Sequence, residues 1–255
     1  MSEGLLLIVA TPIGNLGDLS ERAAQVLAES DVVACEDTRR SARLLHHLGL
    51  ERRLLSLHEH NERQRLPGLL ERLEAGATVA LVSDAGTPLL SDPGYLLVRE
   101  AIARGVTVSV VPGPSAALAA LVLSALPPHP FTFLGFPPPK SGRRRSFYRR
   151  FAALDHTLVV FESPHRLRAS LADALAELGN RDAALARELT KLHEEVLRAP
   201  LAEILAAVEA RSALKGEIVV VIGARGSGGA ADHQPGEGAK EGALCSRLSA
   251  PRQGR

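Results

Sequence analysis

The stretch LVSDAGTPLLSDPG, residues 81–94, leaves an apolar strand that ends at Val82 and runs through turn-forming residues into a helix. Its two serines, one threonine, two aspartates and two glycines supply short hydrogen-bonding groups and permit unusual φ values. Ligands of open α/β sheets bind outside the carboxyl ends of strands, so the stretch is predicted to wrap around a polar small molecule. An ordinary strand-to-helix connection is the alternative.

Apolar strands and helical-period stretches alternate along the chain, which predicts an α/β fold with mainly parallel strands. Strands are expected at 5–10, 32–35, 54–57, 79–82, 106–111, 131–134, 158–161, 183–186 and 218–222, and helices at 21–29, 41–48, 63–74, 95–104, 115–124, 166–178 and 201–211. Three prolines within 125–130 disfavour helix and central strand, so this segment is predicted to link domains at 1–124 and 131–225. Residues 226–255 carry few apolar side chains and are predicted to be a disordered tail.

The overall charge excludes a global electrostatic field for nucleic acid or membrane, because 30 basic residues face 29 acidic ones. An anionic partner must therefore be bound by a local patch. Cys35 and Cys245 lie far apart without metal-ligand spacing, which argues against a disulfide scaffold or zinc site and is typical of a reducing cytosol. No apolar run approaches the ~20 residues of a membrane-spanning helix, so we expect a cytoplasmic protein.

Two further loops have similar chemistry. Residues 11–20 follow the first strand and end in Ser20, a good helix N-cap, but Gly14 and Gly17 supply only part of a dinucleotide-binding fingerprint. Residues 112–116, Pro-Gly-Pro-Ser-Ala, again leave a strand and enter a helix. With residues 81–94, these loops are predicted to form three walls of one site.

Seven motifs in chain order carry a resemblance to a known family. They are ATPIGNL (10–16), CEDTR (35–39), SDAGTP (83–88), SDPG (91–94), PGPSA (112–116), FESPHR (161–166) and RELTK (187–191). Over roughly residues 4–223 the chain resembles the tetrapyrrole-methylase superfamily of S-adenosylmethionine-dependent methyltransferases. Within it, the motifs resemble the branch that methylates the 2′-oxygen of a cytidine in 16S ribosomal RNA of the small subunit.

The resemblance implies two α/β domains with mainly parallel sheets, S-adenosylmethionine in the cleft between them, a homodimer, and a substrate presented within the assembled small subunit. The cofactor-binding residues that it implies are Pro12, Ser83, Asp84, Ala85, Gly86, Ser115, Ala116, Phe161 and Gly216. Residues 83–86 stand where relatives have a Gly-Asp-Pro turn. This departure disfavours a porphyrinoid-methylating enzyme and favours the RNA branch.

Methyl transfer to a hydroxyl needs alignment and a base that removes the hydroxyl proton. Ionisable residues at predicted strand ends are the candidates: Glu36, Asp37, Arg39, Glu162, Arg187, Glu188, Lys191 and Glu194. We predict Asp37 as the base. Lys191 is the alternative, either as an electrostatic contributor or as a lysine with a depressed pKa. A salt-bridge network that orients the loops is an equal alternative for any one of them.

Histidines do not predict a metal centre. His58 and His60 would lie on one face of a strand, and His46 and His47 lie on a predicted helix, but no third ligand follows at suitable spacing. We expect surface or RNA-contacting histidines and metal-free chemistry. His165 is open to either a substrate contact or a helix-cap role.

A one-sided basic segment occupies residues 140–150. Its six cations, Lys140, Arg143, Arg144, Arg145, Arg149 and Arg150, are interleaved with Phe147, Tyr148 and Phe151 and with no acid. Arginines bind phosphates and aromatic rings stack on unpaired bases, so the segment is predicted to bind RNA. A solvated helix face with its aromatic rings in the core is the alternative.

Three functions are compatible with these features. The first is 2′-O-methylation of a cytidine in 16S ribosomal RNA. The second is methylation of a tetrapyrrole or another small acceptor, which the basic segment disfavours. The third is a noncatalytic RNA-binding factor on the same fold, which the charged residues at strand ends disfavour.

Overall fold

The computed structural model describes residues 3–227, and its helices and strands divide between two units that meet between Ser115 and Ala116. The predicted α/β fold is confirmed. The predicted tail lies almost wholly outside the described residues. None of the helices within residues 3–227 is long and apolar enough to cross a membrane.

The first unit is a parallel sheet flanked by helices. Its elements are β1 (Leu5–Val9), a short 3-10 helix (Leu16–Asp18), α1 (Glu21–Glu29), β2 (Val32–Cys35), α2 (Thr38–His47), β3 (Leu54–Ser56), α3 (Glu62–Glu74), β4 (Thr78–Val82), α4 (Tyr95–Ala103) and β5 (Thr107–Val111). The strand order is β3-β2-β4-β1-β5, with β3 and β5 at the edges. Because all neighbours pair in parallel, the loops that follow the strands emerge at one edge of the sheet.

Apolar burial on both faces explains why the central strands read as continuous hydrophobic runs. All four residues of β2 are buried, as are the last four of β4. One face packs Leu69, Leu70 and Leu73 of α3 against the sheet. The other face packs Ala23 and Leu27 of α1 against it. The central strands are thereby fixed, and their loops start from rigid positions.

The second unit contains a mixed sheet. Its elements are α5 (Ala116–Leu123), β6 (Phe131–Gly135), α6 (Ser141–Arg149), β7 (Thr157–Glu162), α7 (Leu167–Leu178), β8 (Asp182–Arg187), β9 (Glu195–Pro200), α8 (Leu201–Glu209) and β10 (Ile218–Ile222). The strand order is β6-β7-β10-β8-β9. Only β6 and β7 pair in parallel in this sheet, and the other three pairs are antiparallel.

The expectation of mainly parallel strands therefore holds for the first sheet but is wrong for the second. The second sheet is mixed because β9, a strand that the sequence analysis did not predict, returns beside β8 after a short connection. Residues 188–194 join these strands without a helix. So short a connection suits an antiparallel pair, whereas a parallel pair needs a crossover of a dozen or more residues.

The division between the units differs in position from the linker expected at 125–130. Helix α5 precedes that segment, yet it packs on β7, β8 and β10 of the second unit and buries Ala117, Ala120 and Leu121. The proline-rich segment is an irregular connection inside the second unit. Prolines mark where regular structure stops, and they do not show which sheet the preceding helix covers.

Candidate functional site

The three predicted loops meet at the carboxyl edge of the first sheet. Thr11 and Gly86 exchange two backbone hydrogen bonds: Thr11 N donates to Gly86 O at 2.9 Å, and Gly86 N donates to Thr11 O at 3.0 Å. Thr87 Oγ1 donates to Pro114 O at 3.1 Å, which ties the third loop to the second. The structure thus brings Pro12 and residues 83–86 together, as the sequence predicted.

Position 86 requires glycine, because of both its backbone conformation and the atoms around it. Its φ of +80° lies in the left-handed region, which side chains disfavour. A Cβ there would approach Ile13 Cγ2 to 3.2 Å and Pro114 O to 3.6 Å. Glycine therefore lets the first and third loops close against the second.

Ser83 and Asp84 stabilise this arrangement with their side chains. The buried Ser83 Oγ donates to Ala85 O at 3.2 Å, and Thr11 Oγ1 donates to Ser83 O at 3.3 Å. Asp84 Oδ1 accepts a hydrogen bond from Asp37 N at 3.0 Å, and its Oδ2 lies 3.4 Å from Arg40 Nε. Asp84 consequently links the loop after β4 to the start of α2.

The contacts of Asp37 are those of a residue that holds the local structure. It is the N-cap of α2, where its Oδ1 accepts from Arg39 N at 2.8 Å, and its Oδ2 lies 2.9 Å from Arg39 Nη2. Hydrogen bonds from the Arg39 side chain and backbone lower the pKa of Asp37 to about 2. A carboxylate with so low a pKa is a weak proton acceptor, so these contacts favour the loop-orienting alternative over the base role predicted for Asp37.

Asp92 is the titratable group that our sequence reasoning missed. Burial, followed by the negative charge of Glu36, raises the pKa of Asp92 to about 7, although a hydrogen bond with Ser83 acts in the opposite direction. Burial and the charge of Asp84 likewise raise the pKa of Glu36. Glu36 follows β2 and Asp92 follows β4, and the folded sheet makes these two strands neighbours, so no local sequence signal identified the pair.

Lys191 lies in the second unit, in the loop between β8 and β9. Its Nζ is 2.8 Å from Glu188 Oε1 and 3.1 Å from Glu217 Oε2. Burial opposes the positive charge of Lys191, but the hydrogen bonds to the two glutamates outweigh that effect and raise its pKa. The depressed-pKa alternative for Lys191 is therefore wrong, because paired carboxylates stabilise the ammonium form.

The other charged candidates of the second unit are also paired. Glu162 accepts from Ser163 N at 2.8 Å and lies 3.0 Å from Arg166. Arg187 pairs with Glu195 at 3.0 Å, and Glu194 Oε2 accepts from Thr190 N at 2.6 Å. The ion pairs of Glu162 and Arg187 match the salt-bridge network given as the alternative, whereas Glu194 binds a backbone amide.

Gly216 and Phe161 also lie in the second unit. Gly216 has a φ of +99°, and a Cβ there would approach Glu188 Cδ to 2.4 Å, so it allows Glu188 to reach Lys191. Phe161 belongs to β7, and its ring contacts those of Phe133 and Phe136 at centroid distances of 4.9 and 5.5 Å. Ser115 and Ala116 are half-buried residues at the boundary between the units, where α5 begins.

Three of the six cations in the basic segment pair with two carboxylates of α7. Arg144 is buried and lies 2.7 Å from Asp173 Oδ2. Arg145 and Arg149 both bind Glu177, at 2.7 and 2.8 Å. The aromatic residues Phe147, Tyr148 and Phe151 pack in or against the core of the second unit, as in the alternative given for this segment. Lys140, Arg143 and Arg150 are exposed.

The histidines do not form a metal centre within residues 3–227, where no cluster of three or more His, Cys, Asp or Glu side chains is arranged to hold an ion. The rings of His58 and His60 lie 6.1 Å apart in an edge-on arrangement.

Comparisons with known proteins agree with this arrangement. Residues 5–205 match the family Tetrapyrrole (Corrin/Porphyrin) Methylases. Similar curated proteins include "Ribosomal RNA small subunit methyltransferase I" of Escherichia coli O157:H7, which is 48% identical over 87% of this chain and 78% of its own length. The protein of the same name from Mesorhizobium japonicum is 50% identical over 87% of this chain and 76% of its own length.

Solved structures show the same fold at lower identity. The crystal structure of diphthine synthase superposes with a TM-score of 0.63 at 17% identity, covering 86% of this chain and 89% of the other. Uroporphyrin-III-C-methyltransferase from Thermus thermophilus superposes with a TM-score of 0.59 at 21% identity, covering 86% of this chain and 94% of the other.

Proposed function

The chain belongs to the tetrapyrrole methylase family, and from this premise we propose that it uses S-adenosylmethionine to methylate the 2′-oxygen of a cytidine in 16S ribosomal RNA. The relatives named ribosomal RNA small subunit methyltransferase I support the substrate, since they are about half identical to this chain over most of its length. The observation that carries the proposal is the junction of three loops at the carboxyl edge of the first sheet.

The residues at this junction fit a cationic cofactor. Glu36, Asp84 and Asp92 gather carboxyl groups beside the loop, where burial and then the neighbouring carboxylates raise the pKa values of Glu36 and Asp92. The sulfonium and ammonium groups of S-adenosylmethionine would supply positive charge. We assign cofactor contacts to Pro12, to the backbone of residues 83–86, and to Ser115 and Ala116. Phe161 and Gly216 stay proposed contacts from the resemblance.

The cofactor supplies a methyl group on a positively charged sulfur that is already a good leaving group. The protein then has to orient the 2′-hydroxyl and remove its proton. Positioning alone is able to contribute several kcal/mol, up to roughly 7–11 kcal/mol in the most favourable intramolecular reactions. The mutually bonded loops provide such positioning, because Gly86, Thr11 and Thr87 fix the backbone around the junction.

We assign proton removal to Asp92. A carboxylate oxygen of Asp92 would accept the proton of the 2′-hydroxyl, and its pKa of about 7 makes it a better acceptor at neutral pH than Asp37. Asp37 would hold the start of α2 and present its backbone N–H to Asp84. Lys191 would act as a charged member of the network with Glu188 and Glu217.

The alternatives are not favoured. The relatives that are 46–50% identical to this chain carry ribosomal RNA names, whereas the structurally similar uroporphyrin methyltransferase is 21% identical. The same relatives are named as methyltransferases, which disfavours a noncatalytic factor.

We further propose a cytoplasmic homodimer that acts on the assembled small subunit. The substrate assignment supports the location, because ribosomal subunits are cytoplasmic. Self-association is supported by exposed apolar side chains in the first unit: Tyr95 and Ile102 on α4 and Val110 on the edge strand β5. Tyr95 and Ile102 are seven residues apart on α4 and so share one face of the helix, and neighbouring exposed apolar side chains are typical of association surfaces.

The direct test is incubation with labelled S-adenosylmethionine and undermethylated small subunits, followed by mapping of 2′-O-methyl positions. One methylated cytidine in 16S ribosomal RNA is expected. Label transferred to a tetrapyrrole instead, or no transfer to any RNA, would contradict the proposal.

The base assignment is tested by the pair Asp92→Asn and Asp37→Asn. Asp92→Asn should lower kcat by about 10²–10⁴-fold and abolish a rise in activity centred near pH 7. Asp37→Asn keeps an oxygen that caps Arg39 N, so a small effect is expected. Equal losses in both variants, or an unchanged pH profile in Asp92→Asn, would contradict the assignment.

A further inference from the structure

An open groove runs along α3 and the edge strand β3 in the first unit. Its volume is about 430 Å³, within the ~300–1,000 Å³ of small-ligand sites. Its polar lining consists of Arg53, Gln64, Arg65, Glu71 and Arg72, with Gly68 between them on α3. These residues belong to none of the motifs that identify the methyl-transfer site.

Small residues on α3 open the groove. Gly68 and Ala75 are seven residues apart and therefore share one face of the helix. A Cβ added to Gly68 would meet no atom within 4 Å, so space lies directly above its backbone. Because β3 ends the sheet, no further strand of the described residues covers this side.

Three arginines surround this space without ion-pair partners among residues 3–227. They are Arg53, Arg65 and Arg72, and the lining includes one opposing carboxylate, Glu71. Two nearby arginines of the same unit are paired instead: Arg99 with Glu100 at 2.7 Å and Arg104 with Glu74 at 2.9 Å. The groove therefore concentrates uncompensated positive charge on a nearly neutral chain.

The spacing of the arginines suits a chain of phosphates. Arg65 and Arg72 are seven residues apart on α3, which places them about 10 Å apart along the helix axis. One phosphate cannot span that distance, whereas a nucleic-acid strand carries a phosphate at every nucleotide. The lining residues include no aromatic ring, so bases have no stacking platform there. Guanidinium groups bind phosphate oxygens bidentately.

The start of α3, where the groove begins, contacts the start of α4, which follows the loop that contains Asp92. Glu62, at the start of α3, accepts hydrogen bonds from Leu96 N at 2.9 Å and Leu97 N at 3.3 Å. These amides open α4, directly after the turn that contains Asp92. Gln64 begins the groove two residues after Glu62.

We propose that this groove binds the phosphodiester backbone of the ribosomal RNA substrate, as a contact separate from the methyl-transfer site and independent of base sequence. The proposal rests on the proposed function, since that function supplies the RNA. Arg53, Arg65 and Arg72 neutralise successive parts of the backbone, and Gln64 adds neutral hydrogen bonds.

The sharpest test uses Gly68→Glu and Gly68→Gln, which fill the same space and differ only in charge. Gly68 lies inside a helix and has room for a side chain, so both variants should fold at least as well as the unmodified protein. With undermethylated small subunits, Gly68→Glu should raise the KM at least fivefold above that of Gly68→Gln. The kcat and the Kd for S-adenosylmethionine should stay equal. Equal KM values would overturn the proposal.

A second test removes the arginines. Changing Arg53, Arg65 and Arg72 together to Gln should reduce the slope of log affinity against log salt for undermethylated subunits by about 2, since each single-strand phosphate contact contributes about 0.7. The matched control changes Arg22, Arg43 and Arg168 to Gln, because these arginines are exposed and also lie outside the ion pairs of residues 3–227. A slope equal to that of the control, or a parallel loss of S-adenosylmethionine affinity, would overturn the proposal.

The two proposals fail separately. If the unmodified chain binds subunits but transfers no methyl group, the proposed function is wrong, while the binding difference between Gly68→Glu and Gly68→Gln still tests the groove. If the chain methylates its cytidine and the groove variants bind like their controls, only the groove assignment is wrong.

Discussion

Helix α6 and the groove along α3 and β3 are both rich in arginine, but they differ in how many of these arginines pair with carboxylates. Helix α6 is the most basic segment of the sequence, yet Arg144, Arg145 and Arg149 are bound by carboxylates of α7. The α3–β3 groove is inconspicuous in the sequence because its arginines are spread over residues 53–72, yet the fold gathers them without partners among the described residues. The number of basic residues in a short stretch of sequence therefore does not show how much positive charge remains unpaired there in the folded protein. Ion pairs with carboxylates on other helices decide how many cations are free to bind RNA.

The largest effect is expected from Arg144→Ala. The Arg144 side chain is 4% exposed and pairs with Asp173, so its removal leaves a nearly buried carboxylate without its partner. Removal of one member of a buried pair costs about 3–5 kcal/mol. We expect a loss of this size in the free energy of unfolding, measured by denaturant titration. Arg143→Ala is the exposed control, and a similar loss there would contradict the structural role of Arg144.

The α6 region and the groove each carry three cations outside the ion pairs of residues 3–227, so the groove proposal itself predicts which set contacts RNA. When Lys140, Arg143 and Arg150 are changed together to Gln, the salt slope should fall by about 0.7, equivalent to one phosphate contact, against about 2 for the groove variant. The measurement is the same subunit-binding titration used for the groove variants. A larger fall than that of the groove variant would reverse the comparison and make α6 the principal RNA surface.

Removal of the carboxylate that neutralises α6 should release its cations. Arg149 and then Arg145 lower the pKa of Glu177 to about 2 by hydrogen bonding. Glu177→Gln should therefore steepen the salt dependence of RNA binding and lower the Tm. The stability that Glu177 provides is fully present above its unfolded pKa of about 4.3 and is lost as the pH falls through about 2. The Tm difference between the two proteins should accordingly vanish in acid, and a difference that persists there would contradict this origin.

The smallest effect should come from Glu71→Gln in the groove. Glu71 is the only carboxylate among the lining residues, so its neutralisation should strengthen subunit binding slightly, by about twofold, as expected for an exposed charge. The exposed Glu21→Gln on α1 is the control. Weaker binding by Glu71→Gln would indicate that the groove does not attract an anion.

Local sequence signals predicted the fold and much of the loop junction. Alternating strands and helices identified the first sheet, and the turn chemistry of the three loops predicted that they form walls of one site. These features depend on a few neighbouring residues, because strand period, helix period and turn chemistry act over short distances. The mixed second sheet escaped prediction, since strand direction there depends on how β9 returns along β8.

Charge partners could not be predicted in the same way. The carboxylates that bind Arg144, Arg145 and Arg149 lie 28–32 residues away along the chain. The raised pKa of Asp92 depends on burial and on Glu36, which follows a different strand. Whether a charged residue acts as a base, a helix cap or an ion-pair partner is decided by distances that only the folded chain defines.

The position of β3 has a consequence for solubility. This strand has three residues and ends the first sheet, so it presents backbone groups to which a strand of another molecule could add. Arg52 and Arg53 directly precede it, and Arg65 and Arg72 lie along the adjacent helix. Repulsion between such arginines on two approaching copies opposes edge-to-edge pairing. The charges that we propose to hold RNA thus also protect the sheet from extending into aggregates.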